Sequence, residues 1–246
     1  MKYPNFNEEK KLYNRGYKIV VGIDEVGRGP LAGPVVACAF CFIGKGDRGP
    51  ASLEAGPRRA TRLRVRDSKK LSAKQREEIY RILKNNPDVE WGIGRVSEKV
   101  IDKINILEAT KLAMQRAVKN LEKNLEKKNE NIKDRSVQKK CDRTNFVQGS
   151  FLIIDGNFGI KVRKSQSGYV PYKSIIKADE KVFSVAAASI IAKVVRDRMM
   201  IRYHKKYPDY GFDRHKGYAT KNHYAILNKC GPCKLHRISF NLISAK

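Results

Sequence analysis

Two adjacent carboxylates, Asp24 and Glu25, end an apolar stretch and are followed at once by a Gly-Arg-Gly turn. Neighbouring side chains in a strand point to opposite faces, so both acids can serve one site only where the strand gives way to a loop. Adjacent ionised acids repel each other and rarely lie beside apolar sequence unless a cation holds them. In a chain with a formal net charge of +27, this pattern points to a divalent metal ion.

Two further acids follow apolar stretches in the same way. Asp155 follows residues 151–154, and Asp179 follows residues 173–177. If these strand ends meet at one sheet edge, the acids form a site suited to Mg²⁺ or Mn²⁺, ions that complete their coordination with water and substrate phosphate. Two ions roughly 3.5–4 Å apart could activate water and stabilise the leaving oxygen. Taken singly, either Asp is also typical of a turn or a helix start, so the metal interpretation depends on the combination.

The composition predicts a folded protein with a polyanionic partner. The chain has 246 residues, is 41% hydrophobic, and carries 52 Lys and Arg against 25 Asp and Glu. This excess favours nucleic acid over an anionic membrane, with a solvated basic surface as the alternative. No run of 18 apolar residues and no apolar signal core occurs in the sequence, and five scattered cysteines are typical of reduced thiols. We therefore expect a cytoplasmic protein that does not enter a membrane.

Hydrophobic patterns predict a mixed α/β sheet flanked by helices. The predicted strands are 18–23, 35–43, 89–96, 151–154 and 173–177, the first two forming an antiparallel hairpin. The predicted helices lie within 1–17, after a Ser72–Gln75 capping box with an Ile79, Ile82 and Leu83 stripe, from Asn105 and Glu108 onward, over 183–203, and near 222–228. Residues 121–143 are expected to form an exposed helical extension and a loop. Residues 44–66 form a basic insert, compatible with phosphate binding or with a solvated loop, that contains Arg58, Arg59, Arg62, Arg64 and Arg66.

Six segments, in order along the chain, resemble ribonuclease HII. They are GIDEVGRGPLAGPVV at 22–36, DSKKL at 67–71, IDGN at 154–157, KADEKVFSVAAASIIAKVVRDR at 177–198, YGFDRHKGYAT at 210–220 and GPCKLHRISF at 231–240. The resemblance implies an RNase H-like fold in a single domain, 1–246, with a core at about 18–205 and a C-terminal helical substrate-binding extension at about 206–246. Residues 44–66 and 121–146 exceed what the family core requires.

The resemblance also implies an endonuclease that cleaves the RNA of RNA–DNA hybrids and incises at single ribonucleotides in duplex DNA. Its catalytic metal site would be Asp24, Glu25, Asp155 and Asp179, holding two Mg²⁺ or Mn²⁺ ions when substrate is bound. The related ribonuclease HIII usually has Glu at the fourth position and an added N-terminal domain, so Asp179 and the short N-terminus favour HII. Glu180 leaves open which of the two neighbouring carboxylates is used.

The substrate-binding residues follow from the same resemblance. The Gly27-Arg28-Gly29 turn lets the backbone approach a nucleic-acid strand and hydrogen-bond a ribose 2′-hydroxyl. Tyr218 would stack on the following sugar, although packing in a turn is the alternative. The predicted phosphate contacts are Ser68, Lys69, Ser189, Lys193, His236 and Arg237. For Lys193 a salt bridge within its helix is an alternative, and either serine could instead cap or pack.

The Cys230, Cys233 and His236 spacing suggests zinc, but a structural zinc site normally needs four ligands, and no second pair has suitable spacing. A redox role lacks the expected βαβ context. Our leading hypothesis is therefore a monomeric, metal-dependent hybrid endonuclease that cuts 5′ to a ribonucleotide and leaves a 3′-hydroxyl and a 5′-phosphate, with Asp24 as the bridging ligand. The competing hypotheses are a noncatalytic hybrid-binding protein and an RNase H-like nuclease of other specificity, such as ribonuclease HIII.

Overall fold

The computed structural model describes residues 3–43, 65, 68–133, 149–163 and 168–242, with the backbone alone for 129–133. The arginine cluster of the 44–66 insert and the predicted loop that ends at residue 143 lie outside these ranges.

A five-stranded mixed sheet forms the centre of the protein, with the strand order β3-β2-β1-β4-β5. The β1 strand is antiparallel to β2 and parallel to β4, β2 is antiparallel to β3, and β4 is parallel to β5. The strands are β1 Ile19–Val26, β2 Val35–Phe42, β3 Val89–Val96, β4 Ser150–Asp155 and β5 Tyr172–Ile175. The predicted hairpin and mixed sheet are confirmed.

Helices cover both faces of this sheet. They are α1 Asn7–Asn14, α2 Ala73–Lys84, α3 Glu98–Lys133, α4 Phe183–Lys206, α5 Phe212–His215 and α6 Lys221–Cys230. Short 3₁₀ turns at Ser68–Lys70, Ala178–Glu180 and Pro208–Tyr210 connect them. No helix within the described ranges is long and apolar enough to span a bilayer.

The start of α2 agrees with the sequence pattern. Gln75 N–H donates to the Ser72 hydroxyl at 3.2 Å, and Ser72 N–H donates to Gln75 Oε1 at 2.9 Å, which completes the predicted capping box. Ile79 and Leu83 are buried as expected, but Ile82 is 39% exposed. Ile82 therefore does not belong to the apolar stripe.

The predicted cap at Asn105 is present, but it lies at a kink inside α3 and not at the first residue of that helix. Asn105 Oδ1 accepts hydrogen bonds from the backbone N–H groups of Leu107 and Glu108, at 2.9 and 3.1 Å. Asn105 itself has a φ of 64°, and the helical turn before it was not predicted. Leu121 and Leu125 are buried, so the part of α3 expected to be exposed still packs on the sheet.

Alternation along β1 and β2 builds a core on each face of the sheet. Val21 and Ile23 pack with the residues of α3, whereas Cys38 and Phe40 pack with those of α2 and α4. The α4 backbone passes so close to β1 that a Cβ on Gly22 would lie 2.3 Å from the Ser184 carbonyl carbon. This close contact brings the first half of α4 beside the end of β1 where the acids stand.

The outer edge of β3 is covered by side chains of α3. Residues at four-residue intervals donate to alternate β3 carbonyls: Arg116 to Arg95, Asn120 to Ile93, Asn124 to Trp91 and Lys128 to Val89, at 2.7–3.2 Å. Four helix residues advance about 6 Å and two strand residues about 6.6 Å, so the two repeats nearly match. The ladder satisfies edge carbonyls that could otherwise pair with another chain.

Glycine on β3 makes this close packing possible. A Cβ on Gly94 would lie 1.9 Å from the Ala113 carbonyl oxygen, whereas a Cβ on Gly149 would meet the movable Lys18 side chain at 3.3 Å. We predict that Gly94→Ala lowers the free energy of unfolding by about 2–3 kcal/mol, because α3 must move away from the sheet. Urea denaturation would measure this loss, with Gly149→Ala as the matched control. Equal stability of the two variants would contradict the packing argument.

Candidate active site

Asp24 and Glu25 lie where β1 runs past the end of its parallel neighbour. The β1–β4 pairing ends at Ile23 and Ile154, whereas β1 stays paired with β2 through Val26. The predicted end of the strand at residue 23 is therefore wrong, since both acids belong to the strand. Asp24 is nevertheless released from a β4 partner, which leaves room beside it for other side chains.

Asp155 and Asp179 reach the same corner from the next two elements. Asp155 is the last residue of β4, and its Oδ1 accepts a 2.6 Å hydrogen bond from Ala178 N–H. Asp179 follows in the 3₁₀ turn that precedes α4 and is 6% exposed. The hydrogen bond therefore ties the end of β4 to the turn that carries the fourth acid.

The four carboxylates act on one another electrostatically. Burial raises the pKa of Asp24 well above its usual value, and the charges of Glu25, Asp155 and Asp179 raise it further. Burial also raises the pKa of Glu25 to about 7, with a contribution from Asp155 against the opposing effect of Arg28. Burial raises the pKa of Asp155 in the same way. The acids that the sequence singled out thus share one electrostatic environment.

This corner has the ligands that a hard divalent cation requires. Glu25 Oε2 is buried and has no hydrogen-bond partner, and a buried carboxylate oxygen in that state favours a cation. Carboxylate oxygens are the preferred ligands of Mg²⁺ and Mn²⁺. Among the described residues, no three His, Cys, Asp or Glu side chains already enclose an ion position. Ions of this kind complete their coordination with water and phosphate.

Ser68 and Ser189 lie behind Asp24 and not on the surface. Their hydroxyl oxygens are 3.0 Å apart, and they are 5% and 6% exposed. A hydrogen bond from the Ser189 side chain lowers the pKa of Asp24 and opposes part of the rise caused by burial. The packed alternative thus describes these serines better than the predicted phosphate contact. Lys69 is exposed, and its charge lowers the pKa of Asp155.

The Gly27-Arg28-Gly29 turn continues from the acids. Arg28 Nη1 is 3.5 Å from Glu25 Oε1, and its guanidinium lies 5.6 Å from the ring centre of Phe158. Gly27 has a φ of 93°, and a Cβ there would lie 2.3 Å from Arg196 Nε. Around Gly29, apart from its two chain neighbours, no atom of the described residues lies within 4 Å of a hypothetical Cβ. The inner side of the turn is therefore filled by protein, and the Gly29 side is open to a ligand.

Arg237 supports this turn from below. Its guanidinium is fully buried and donates to the carbonyl oxygens of Gly27, Arg28 and Gly33 at 2.6, 2.8 and 2.8 Å. Burial lowers its pKa to about 9, with a further contribution from the charge of Arg196. The predicted phosphate contact by Arg237 does not fit this structure, because its side chain is enclosed and its donors are used.

Arg196 is a second buried arginine that sequence reasoning missed. It donates to the carbonyl oxygens of Ala32, Pro34 and Lys216 at 3.2, 3.0 and 2.9 Å. It thereby joins the loop after Gly29 to the segment that leads into Tyr218. Its position three residues after Lys193, on a helix face lined by alanines, was the available signal. An arginine on a small-residue face of a helix must find acceptors on a neighbouring element.

Tyr218 lies over Lys193 and Arg196 of α4 and is 38% exposed. Its ring centre is 5.6 Å from Lys193 Nζ and 5.7 Å from the Arg196 guanidinium carbon. Lys193 also makes the salt bridge within its helix that was the alternative interpretation, at 2.8 Å to Asp197 Oδ1. The ring therefore presents an exposed face over a basic patch.

His236 is another predicted phosphate contact that the structure places in the interior. It is 2% exposed, and its Nε2 is 3.0 Å from His223 Nε2. A direct phosphate contact does not fit this burial. Cys233 N–H donates to His236 Nδ1 at 2.9 Å, which leaves that nitrogen engaged with the backbone.

The strand order and the helices that cover both faces define the class of RNase H-like proteins, and comparison with solved structures agrees. A ribonuclease H2 from Pyrococcus horikoshii aligns with a TM-score of 0.58 and 24% identity, over 91% of this chain and 94% of that one. Bst-RNase HIII in complex with Mn²⁺ aligns with a TM-score of 0.62 and 18% identity, over 94% of this chain and 70% of that one. These likenesses establish the fold.

Sequence comparison identifies the family. A model described as Ribonuclease HII matches residues 21–243. Ribonuclease HII of Chlamydia caviae is 46% identical over 232 residues, which cover 94% of this chain and 88% of the relative. Ribonuclease HII of Caldicellulosiruptor bescii is 39% identical, with 97% and 95% covered. The chain belongs to the ribonuclease HII family.

It is therefore a metal-dependent endoribonuclease that cleaves RNA in RNA–DNA hybrids and at ribonucleotides embedded in DNA. The noncatalytic alternative is excluded, and the family match favours ribonuclease HII over ribonuclease HIII.

The raised pKa of Glu25 predicts a pH-dependent loss of stability in metal-free protein. The folded state keeps its proton up to about pH 7, against an ordinary value of 4.5, so stability present below pH 4.5 is lost as the pH rises through 7. We expect Glu25→Gln in EDTA to be about 2 kcal/mol more stable than wild type at pH 8 and equal to it at pH 4.

Chemical denaturation at the two pH values would measure this difference. Glu180→Gln is the matched control, because Glu180 is exposed and its pKa is lowered by Lys70. A pH-independent difference for Glu25→Gln, or an equal gain for the control, would contradict the shared electrostatic environment.

Proposed function

We propose that Asp24, Glu25, Asp155 and Asp179 bind two divalent ions, Mg²⁺ or Mn²⁺, when substrate is present, with Asp24 as the bridging ligand. The observation that carries this proposal is that the Asp24 carboxylate feels the charges of all three other acids. The Mn²⁺ in the Bst-RNase HIII structure supports the choice of ion. The lowered pKa and the Lys70 partner of Glu180 favour Asp179 as the fourth ligand.

Bound divalent ions would activate the attacking water and neutralise the oxygen that leaves. The protein's own contribution is to hold the ligands. The Ser68–Ser189 pair orients the Asp24 carboxylate, Arg28 steadies Glu25, and the Ala178 N–H fixes Asp155. The product is a strand cut 5′ to a ribonucleotide, with a 3′-hydroxyl on one side and a 5′-phosphate on the other.

The Gly27-Arg28-Gly29 turn is proposed to read the ribose 2′-hydroxyl with its backbone groups. The open space at Gly29 supports a close approach, and only a ribonucleotide offers that hydroxyl. Tyr218 then stacks on the neighbouring sugar with its exposed face. Because these proposed contacts are to the sugar and the backbone and not to the bases, the enzyme should cut with little dependence on base sequence.

Lys69 and Lys193 are proposed to contact phosphates next to the acids. Lys69 is exposed, and its charge acts on Asp155, while Lys193 lies at the Tyr218 ring. Phosphate contacts set position and affinity, and they weaken as salt rises. The +27 net charge of the whole chain supports attraction of a duplex to this surface.

We further propose one domain, 1–246, with a core at 18–205 and a substrate-binding extension at 206–246. Support comes from a shared apolar cluster that joins Leu31 and Met200 with Phe212, Leu227 and Leu235 of the extension. A monomeric, cytoplasmic enzyme completes the proposal, and the covered outer edge of β3 is consistent with a single chain.

We predict that Asp24→Asn lowers the rate of incision of a duplex with one ribonucleotide by at least about a hundredfold in saturating Mg²⁺ or Mn²⁺. The loss of charge removes the proposed bridging ligand but leaves the shape of the side chain. The measurement is single-turnover cleavage of a labelled duplex. Glu180→Gln is the control and should cleave at a rate close to wild type. A wild-type rate for Asp24→Asn would refute the proposed metal centre.

Replacing the target ribose by deoxyribose should abolish incision while nonspecific binding stays largely intact, because phosphate contacts supply most of that affinity. Cleavage and fluorescence-anisotropy binding on the two otherwise identical duplexes would test this. Equal cutting of both duplexes would show that the 2′-hydroxyl is not read.

A further inference from the structure

Three histidines enclose the backbone of Tyr218. The His215 and His223 rings stack with their centres 4.2 Å apart, and the His223 and His236 centres are 5.2 Å apart. Gly217 N–H donates to His215 Nδ1 at 3.1 Å, and His223 Nδ1 lies 2.9 Å from the Tyr218 carbonyl oxygen. The Gly217 N–H and the Tyr218 carbonyl are thus each hydrogen-bonded to an imidazole.

The hydrogen-bond partners fix which nitrogens carry protons. The Tyr218 carbonyl can only accept, so His223 Nδ1 carries the proton, and Nε2 of neutral His223 is an acceptor. His236 Nε2, 3.0 Å away, must then be the donor. His236 Nδ1 is left as the acceptor for Cys233 N–H at 2.9 Å, rather than a donor to the Cys233 carbonyl at 3.2 Å. The Tyr218 carbonyl at one end of this hydrogen-bonded chain and the Cys233 N–H at the other require the same placement of protons.

His215 follows the same logic. Because Gly217 N–H donates to its Nδ1, the proton lies on Nε2, which donates to the Tyr210 carbonyl at 2.6 Å. All three rings are therefore neutral in this arrangement. A second proton on any of them would place two N–H donors face to face.

We propose that His215, His223 and His236 form a relay of neutral imidazoles that positions Tyr218 for the substrate, and that acid disrupts it. They are positioning residues, since they act through Tyr218. The inference rests on the proposed function in one respect only, namely that Tyr218 contacts the sugar next to the ribonucleotide.

The surroundings favour the neutral state. Burial lowers the pKa of His223 to about 4, helped by the neighbouring His215 and His236, and burial also lowers the pKa of His215 and His236. The other groups facing the cluster are Asp213, Lys216, Tyr210 and Cys233, with His204 paired to Asp213 at 3.2 Å. A released histidine titrates near 6.5, so the relay is stable above that pH and weakens as the pH falls toward 4.

Nitrogen NMR of the imidazoles tests the relay directly. The chain has four histidines, so two-bond ¹H–¹⁵N spectra of the full-length protein can be assigned by single substitutions. At pH 7.5 we expect the proton on Nδ1 of His223 and on Nε2 of His215 and His236. His204, which pairs with Asp213 outside the relay, serves as the internal reference. A proton on Nε2 of His223, or a charged cluster at pH 7.5, would overturn the proposal.

Variants test the effect on Tyr218. His223→Leu removes the side-chain donor to the Tyr218 carbonyl and leaves only the Thr220 N–H at 2.9 Å. It should lower kcat/KM for a duplex with one ribonucleotide about tenfold. His223→Asn keeps an N–H near the Nδ1 position and should recover most of that loss. His204→Asn, which replaces the histidine outside the relay, is the control. An unchanged kcat/KM for His223→Leu, or no recovery by His223→Asn in a protein that is still folded by circular dichroism, would overturn the proposal.

Tyr218→Ala separates this inference from the proposed function. If Tyr218→Ala lowers kcat/KM and His223→Leu does not, the relay has no positioning role, while the proposed sugar contact stands. If Tyr218→Ala leaves kcat/KM unchanged, the sugar contact is wrong, and with it the purpose of the relay, whatever the NMR spectra show.

Discussion

Repulsion among four carboxylates at one end of the central strand is the interaction on which the rest of this structure depends. The fold brings Asp24 and Asp155 together because they directly follow Ile23 and Ile154, the last paired residues of β1 and β4. Burial strengthens the repulsion by withdrawing water. Such a corner is unfavourable in a protein whose other charges are mostly positive, unless cations enter it. The supporting contacts, from Ser189 to Asp24 and from Arg28 to Glu25, relieve only part of the strain. The four acids are therefore left with too little positive charge around them, a lack that divalent ions bound to substrate phosphate would relieve.

The buried arginines answer a different requirement, that of rigid shape. Arg237 and Arg196 donate hydrogen bonds to carbonyl oxygens of the loop after β1 and, for Arg196, of the segment before Tyr218. A guanidinium offers five N–H groups in a fixed plane, so one side chain can hold several turns of backbone at once. Donation to a carbonyl also polarises its peptide group and makes the next N–H a better donor. The N-terminal turn and the C-terminal extension are thus joined, although Gly27 and Arg237 are 210 residues apart in sequence.

Local patterns made much of this fold predictable, and long-range partners explain the failures. The capping box at Ser72, the cap at Asn105 and the alternation along the strands depend on neighbours in sequence, and they appear as expected. The four acids were found for the same reason, since each follows an apolar run. The roles of His236 and Arg237 were misjudged because a basic side chain near a nucleic-acid site is expected at the surface. Whether it is buried depends on acceptors supplied by distant loops, which no local pattern reveals.

In the proposed function the acids determine the rate of cleavage, whereas the Gly27–Gly29 turn and Tyr218 determine the selectivity for ribose. These two tasks differ in how precisely the protein must hold its groups. In the proposed mechanism the acids would determine how much positive charge gathers at the reacting phosphate. This quantity tolerates small movements, because Coulomb forces fall slowly with distance. Reading one hydroxyl with backbone groups tolerates much less, because a hydrogen bond weakens steeply outside a narrow range of distance and angle. The protein accordingly holds the groups proposed to read the hydroxyl: Arg237 donates to the Gly27 carbonyl oxygen, and His223 lies at hydrogen-bond distance from that of Tyr218. Under the proposed function, discrimination between ribose and deoxyribose would therefore depend also on buried side chains that do not touch the substrate.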